Sequence, residues 1–303
     1  MSRKISEEIK IDPSDVHQYF KDVNVKLFCC RYWMLEEWEC NDLKAPFWRM
    51  YHNSIPGSTI RFDNQTIHLD ERSVIIIPPN TSFSSRLQQQ EHQQDESIKG
   101  RKFGVTDDIG TVEAAGKVDH LFIHFSLGYP LDFIKSGIIK VDCNPSLRNL
   151  LERVKASCIK ETITSYPECL RTKQLISECL LELPEEIWDS GNLDHRVLKA
   201  IKYIEANFHT RITNEQLAEI ANMATNSFAR LFKMSTGMPA QQYILKLKVE
   251  ACCTLMHHTN KSFDQISYDC GFSDRHHFSK VFKKILKINP SNYKKQLMFD
   301  LIH

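Results

Sequence analysis

The sequence predicts an α+β chain of several domains: an N-terminal β-barrel or sandwich, a helical segment, and an all-α C-terminal domain with two helix-turn-helix motifs. Three observations lead there. Short runs of β-branched and aromatic residues recur from about residue 25 to 126. After Pro145 the apolar period lengthens from two to 3.6. The string FARLFK at 228–233 returns as FSKVFK at 278–283, a repeat offset of 50 residues. With 303 residues and 42% hydrophobic content, the chain can build separate cores for two domains of ordinary size.

The N-terminal strands are KLFCCRYWM, FWRMYHN, STIRF, QTIHL, SVIIIPP and DHLFIHFSL. Turn formers separate several of them: Pro56-Gly57, Asp63-Asn64 and Pro78-Pro79-Asn80. Asp63-Asn64 between two strand patterns reads as a tight hairpin. Strands spaced in this way suggest a barrel or sandwich. The segment Gln88–Val118 interrupts them. It opens on QQQEHQQDE, has no apolar periodicity, and reads as a long mobile loop.

Two helices follow. SLRNLLERVKASCIKE places Leu147, Leu150, Leu151, Val154 and Cys158 on one face. PECLRTKQLISECLLEL begins with Pro167 at a helix-entry position and repeats apolar residues at 170, 175, 176, 179, 180 and 183. This pair serves as core, linker or dimer interface. Pro184 to Asp194, with Gly191-Asn192, marks the best domain boundary.

The C-terminal third carries the functional signal. Thr213 caps a helix with Gln216 as its capping-box partner, and that helix buries Leu217, Ile220 and Ala221. A turn at Asn222–Ala224 leads to a second helix with Phe228, Leu231 and Phe232 inward and Gly237 as a left-handed C-terminal cap. The pattern repeats: Phe263 and Ile266 in a first helix, a turn at Cys270-Gly271-Phe272, Ser273 as cap, then Phe278, Val281, Phe282 and Ile285 at i, i+3, i+4 and i+7. About Ala240 to His257 reads as one long connecting helix. Two such motifs on a rigid connector present two helices to successive major grooves, which lie ~34 Å apart on one DNA face.

Charge agrees with that reading. Residues 196–296 hold sixteen Lys/Arg and seven Asp/Glu, whereas the rest of the chain holds 23 basic and 31 acidic residues. A basic third on an acidic body points to nucleic acid. The first ten residues lack a signal-peptide pattern, and no apolar run approaches the ~20 residues of a membrane span. The ten cysteines contain no C-x-x-C pair, and without a secretory signal free thiols in a reducing cytoplasm are expected.

The residues IS-x2-CGFSDRHHFSKVFKK-x5-P followed by Tyr293 resemble the signature of AraC-type transcription regulators. The preceding repeat, with Leu217-Ala218, FARLFK and Gly237, resembles the same family. The resemblance is strong over about 195–296. It is weaker in the N-terminal part, where IIIPPNTSF and HLFIHFSLG are similar to the family's cupin-like barrel. The resemblance implies a cytoplasmic, effector-responsive DNA-binding protein that often forms a homodimer and acts on RNA polymerase, activation being the usual mode. It divides the chain into a regulatory barrel (1–143), a helical linker or dimerisation segment (144–190) and a DNA-binding domain (191–303). Three positions depart from the pattern: Ala224 replaces a Ser cap, leaving Thr225 or Asn226 to cap; Pro239 comes one position early; and Lys287 replaces a Gly.

By position, the resemblance assigns base-facing roles to Asn226, Ala229 and Arg230, and to Arg275, His276, Ser279 and Lys280. Their chemistry suits most of these roles: Arg and Lys pair with guanine O6/N7, Asn pairs with adenine N6/N7, and Ala229 can only touch a thymine methyl. Thr225, Lys233, Lys283 and Lys284 are expected on phosphates, where they supply affinity rather than sequence readout. Tyr32, Trp33, Trp48 and His52 are the candidates for lining an effector pocket, a carbohydrate being one candidate ligand.

No catalytic residue, cofactor or metal is assigned. His276 and His277 point about 100° apart on a helix and cannot readily chelate one ion. His52, His68, His120 and His124 lack the H-x-H-with-Glu pattern of a metal cupin. Two enzyme readings stand as alternatives: a metal-dependent cupin, and a DNA-repair methyltransferase with an appended DNA-binding module. The second needs an activated thiolate, and no cysteine here sits in a recognisable nucleophile motif.

Overall fold

The computed structural model describes residues 23–87, 97–128, 130–188 and 194–298. The N-terminal strands form one antiparallel sheet that curls into a half-barrel. Its strands are β1 (Lys26–Leu43), β2 (Trp48–His52), β3 (Ser58–Phe62), β4 (Gln65–Leu69), β5 (Ser73–Ile77), β6 (Phe83–Leu87), β7 (Ser97–Lys102), β8 (Val118–Ser126) and β9 (Ile139–Asp142). The order is β4-β3-β6-β1-β8-β2-β5-β9, with β7 also paired to β1. The expected Asp63-Asn64 hairpin joins β3 to β4, with Phe62 opposite Gln65 and Asp63 at a φ of 50°.

β1 is longer than its apolar run because it pairs in succession with β8, β7 and β6. Backbone pairing thus carries it through Glu36-Glu37, where the sequence pattern fades. The same pairing overturns the expectation of a loop for the described part of 88–118. Residues 97–102 form β7, and α1 (Ile109–Ala114) follows, capped by Asp108. β7 is polar and half-exposed, so hydrophobic alternation could not reveal it. Residues 88–96 lie outside the described residues.

The two helices expected after Pro145 are α2 (Pro145–Ile159) and α3 (Tyr166–Leu181). Their inner faces share one core with the sheet, through Leu147, Leu151, Val154, Leu175, Ile176 and Cys179. Leu170, expected on that inner face, is exposed along with Tyr166 and Leu181. A buried ion pair fixes α2 to the sheet: Lys155 Nζ lies 3.4 Å from Asp119 Oδ2, with side-chain exposures of 3% and 0%. Asp119 also accepts from the Ser54 and Ile55 backbone N–H groups and from the Tyr32 hydroxyl at 2.9 Å. Burial pushes the Asp119 carboxyl up, but Lys155 and these donors outweigh it and hold it below the usual carboxylate range.

α4 (Glu185–Trp188) follows α3, and the expected boundary glycine and asparagine at 191 and 192 lie outside the described residues. The C-terminal part contains α5 (His195–Asn207), α6 (Asn214–Ile220), α7 (Thr225–Thr236), α8 (Ala240–His258), α9 (Phe263–Asp269), α10 (Arg275–Leu286) and α11 (Pro290–Met298). It has two cores. Val197, Ile201, Leu217, Phe228, Phe232 and Tyr243 belong to the first. Val249, Cys252, Met256, Ile266, Phe278, Phe282 and Tyr293 belong to the second. α8 contributes its first half to one and its second half to the other.

Helix ends refine the sequence reading. The Thr213–Gln216 capping box forms, and Ser262–Gln265 repeats it at α9. Ala224 itself occupies the N-cap of α7 without a side-chain bond, so neither Thr225 nor Asn226 replaces it. Ser273 is not the cap of α10. Asp274 is, accepting from His277 N at 2.7 Å, because a carboxylate one residue closer to the helix outcompetes the hydroxyl, which donates to Asp274 instead. Gly237 and Lys287 both end their helices in the left-handed region, at φ 76° and 65°.

Lys155→Ala would leave Asp119 buried without its cation. It is expected to destabilise the N-terminal part by about 3–5 kcal/mol, read as a fall in the urea midpoint at unchanged slope.

Candidate nucleic-acid interface

α7 and α10 are the second helices of the two helix-turn-helix units. Each buries its Phe pair, Phe228 with Phe232 and Phe278 with Phe282, which fixes the opposite face outward. On α7, Asn226, Arg230 and Lys233 are exposed and Thr225 and Ala229 are half-buried. On α10, Arg275, His276, Lys280, Lys283 and Lys284 are exposed and Ser279 is half-buried. The two predicted reading sets thus each share one face of one helix.

Two of the α10 residues have local partners. Arg275 Nη1 donates to Asp264 Oδ2 at 3.3 Å, and its guanidinium lies 5.6 Å from the Phe263 ring centroid. That ion pair is exposed, so a base or phosphate can exchange for it at little cost. His277 packs against Phe272 and lies 3.2 Å from Ser273 Oγ. The His276–His277 pair therefore splits into one free outward residue and one that supports the turn.

The relative placement of the two units depends on α8 and the turn before α10. With 19 residues, α8 is about 28 Å long at 1.5 Å per residue. Lys248, near its middle, donates to the Gly271 carbonyl at 2.5 Å and lies over the Phe272 ring. Gly271 has φ +70°, and a Cβ there would fall 1.8 Å from the His209 carbonyl oxygen. The turn of the second unit thus packs backbone to backbone against the loop after α5, in the first unit.

The four predicted effector residues do not converge. Trp48 is fully buried, donates to Asp132 Oδ1 at 2.8 Å and stacks on Phe125. Tyr32 is bound to Asp119. His52 is buried, its Nδ1 without a partner, and burial lowers it to about 4. Only Trp33 faces the cavity of ≈ 80 Å³ between the half-barrel and the end of α8.

Trp38, Tyr51 and Phe122 supply aromatic wall to that cavity, Arg31 a cation, and His120, His124, His257 and His258 its imidazoles. Burial holds these imidazoles neutral: His120 falls to about 3, His258 to about 4, and His124 and His257 well below the ordinary value. His120 Nδ1 pairs with Asn53 at 2.8 Å, and His257 Nε2 with the Tyr293 hydroxyl at 3.1 Å. Both ring nitrogens of His124, and Nε2 of His258, are buried without a hydrogen-bond partner. Such groups cost roughly 1–3 kcal/mol each if left unpaired. His68 lies on β4, exposed and apart from this cluster. Sequence reasoning missed Cys29, Arg31, His257 and His258 as cavity residues. The β1 alternation 29, 31, 33 could have indicated the first two, but nothing local placed α8 against the sheet.

The paired units define a double helix-turn-helix DNA-binding domain. Residues 217–296 match the family described as "Helix-turn-helix domain". The chain is 32% identical over 142 residues to the HTH-type transcriptional activator RhaS of Mannheimia succiniciproducens, covering 47% of this chain and 52% of that one. It is 31% identical over 107 residues to the MmsAB operon regulatory protein of Pseudomonas aeruginosa, covering 35% and 34%. The chain therefore spans about half or less of the length of these relatives. ToxT from Vibrio cholerae has a similar structure at a TM-score of 0.48 and 14% identity, covering 89% of this chain and 98% of that one.

Two left-handed glycines, Gly237 and Gly271, separate strain from contact. At Gly237 a Cβ would meet nothing within 4 Å, so Gly237→Ala is expected to cost only the left-handed penalty of roughly 1–2 kcal/mol. Gly271→Ala adds the clash with His209 and should cost at least about 3 kcal/mol in chemical unfolding of the full chain.

Proposed function

We propose that the chain is a sequence-specific, DNA-binding transcription activator whose DNA affinity responds to a small-molecule effector. The observation that carries the reading is the pair of basic-faced second helices held by one continuous α8. In this reading Asn226, Ala229, Arg230, Arg275, His276, Ser279 and Lys280 face bases, while Thr225, Lys233, Lys283 and Lys284 meet phosphates. The relatives' names, an activator and an operon regulator, support it.

Residues 1–143 act as sensor, 144–190 as dimerisation segment and 191–303 as DNA-binding domain. The exposed Tyr166, Leu170 and Leu181 of α3 offer an apolar face for a second copy, and RNA polymerase is the downstream partner. The effector occupies the cavity beside Trp33, where aromatic wall and polar groups converge, as a carbohydrate or similar polar metabolite requires. The chain works as a regulator and not as an enzyme. No helix among the described residues is long and apolar enough to cross a membrane, which fits action on cytoplasmic DNA.

Arg230→Ala and Arg275→Ala should each weaken binding to the cognate site by about 1–3 kcal/mol and weaken binding to random DNA far less. Lys233→Ala or Lys283→Ala should weaken both equally and reduce the salt slope by about one. Titration of each variant against both DNAs at several salt concentrations checks this. Equal losses for the arginines would reduce them to phosphate contacts. In the same assay, a small molecule that stabilises the full chain must also change operator affinity, or the effector reading fails.

A further inference from the structure

Three side chains from distant parts of the chain meet at the seam between the half-barrel and α8. Cys29 on β1 stands directly opposite His124 on β8 in the antiparallel register. His258 is the last residue of α8, and its ring centroid lies 5.3 Å from that of His124. One donor atom from each, a sulfur and two imidazole nitrogens, lies within 4.8 Å of the other two. We infer that Cys29, His124 and His258 form a Zn2+ site that clamps the end of α8 to the half-barrel.

The donor set is the first support. One thiolate and two imidazoles suit zinc, and three protein ligands leave a fourth position for water or another small ligand. Tetrahedral zinc with these ligands needs donor separations of about 3.3–3.7 Å, which modest side-chain rotation supplies from the present spacing. The second support is independent. His124 and His258 carry buried ring nitrogens with no hydrogen-bond partner, whereas the neighbouring His120 and His257 are each paired within the protein. Ring nitrogens that are not tied up in hydrogen bonds are open to a metal.

The electrostatics weigh both ways. Arg31 faces the same cavity, and the Arg49 guanidinium lies near the ring of Phe47, which itself packs on His124 and His258. These cations oppose a bound dication. Against them stand the thiolate that Cys29 becomes on losing its proton to solvent as the metal binds, and the negative end of α8, whose last turn holds His258. Among the described residues no carboxylate lines the cavity, so the Cys29 thiolate is the anionic ligand of the site.

The test uses the full chain without DNA, so its outcome is independent of the regulatory reading. Chelator-stripped protein is dialysed against Zn2+, and separately against Co2+, whose thiolate charge-transfer absorption reports a bound cysteine. The expected result is one equivalent of metal, a cobalt charge-transfer band and a raised unfolding temperature. Cys29→Ser should abolish the band. His258→Gln should weaken affinity by more than roughly 100-fold, beyond the 10–100-fold typical of an outer-shell change. Cys169→Ser, on α3, should leave all three readouts unchanged. Failure of the wild-type chain to take up zinc, or uptake that Cys29→Ser and His258→Gln leave intact, would overturn the assignment.

Discussion

The constraint on which the rest of the molecule depends is the continuity of α8 through two cores. Its first half completes the core that supports α7, and its second half completes the core that supports α10. A helix resists bending within a few turns, so the two units cannot choose their spacing independently. Lys248 and Gly271 add a second fastening, since the turn before α10 is held to the middle of α8 and to the loop carrying His209. The repeat in the sequence thereby becomes a fixed geometry, with two outward faces at one separation.

α8 has another consequence at its far end. Its last two residues, His257 and His258, enter the aromatic seam of the half-barrel beside Phe47 and His124. The strut that sets the spacing of α7 and α10 is therefore also the element that touches the half-barrel. An occupant of the seam that contacts α8 differently in two arrangements would shift the balance between them. The path is short, since α8 itself packs against α7 and α10. The buried Lys155–Asp119 pair secures α2 to the same sheet.

Much of this was legible in the sequence where local physics decides. Both Phe-spaced faces, the Thr213 capping box, the left-handed cap at Gly237 and the five inward residues of α2 follow from periodicity and cap chemistry. Lys287 at φ 65° kept the cap geometry despite the loss of glycine, because the flanking repeat requires it. What could not be read depends on contacts far apart in the chain. β7 is polar and exists through pairing with β1. Trp48 and Tyr32 look like pocket aromatics until Asp132 and Asp119, both distant in sequence, are seen to bind them. Cys29 and His258 meet only because α8 docks on the sheet. Adjacent or alternate histidines are a poor guide to such a cluster, since its members come from three elements.

The central claim, a rigid two-headed reader, is tested most directly by changing the spacing of its site on DNA. Insertions of five and of ten base pairs between the two half-sites of the cognate operator should be compared by binding titration. A rigid α8 predicts that both insertions reduce affinity to that of a single half-site, because neither restores a separation of about 28–34 Å. Recovery of affinity with the ten-base-pair insertion, which restores the helical face, would show that the two units move independently and would contradict the account.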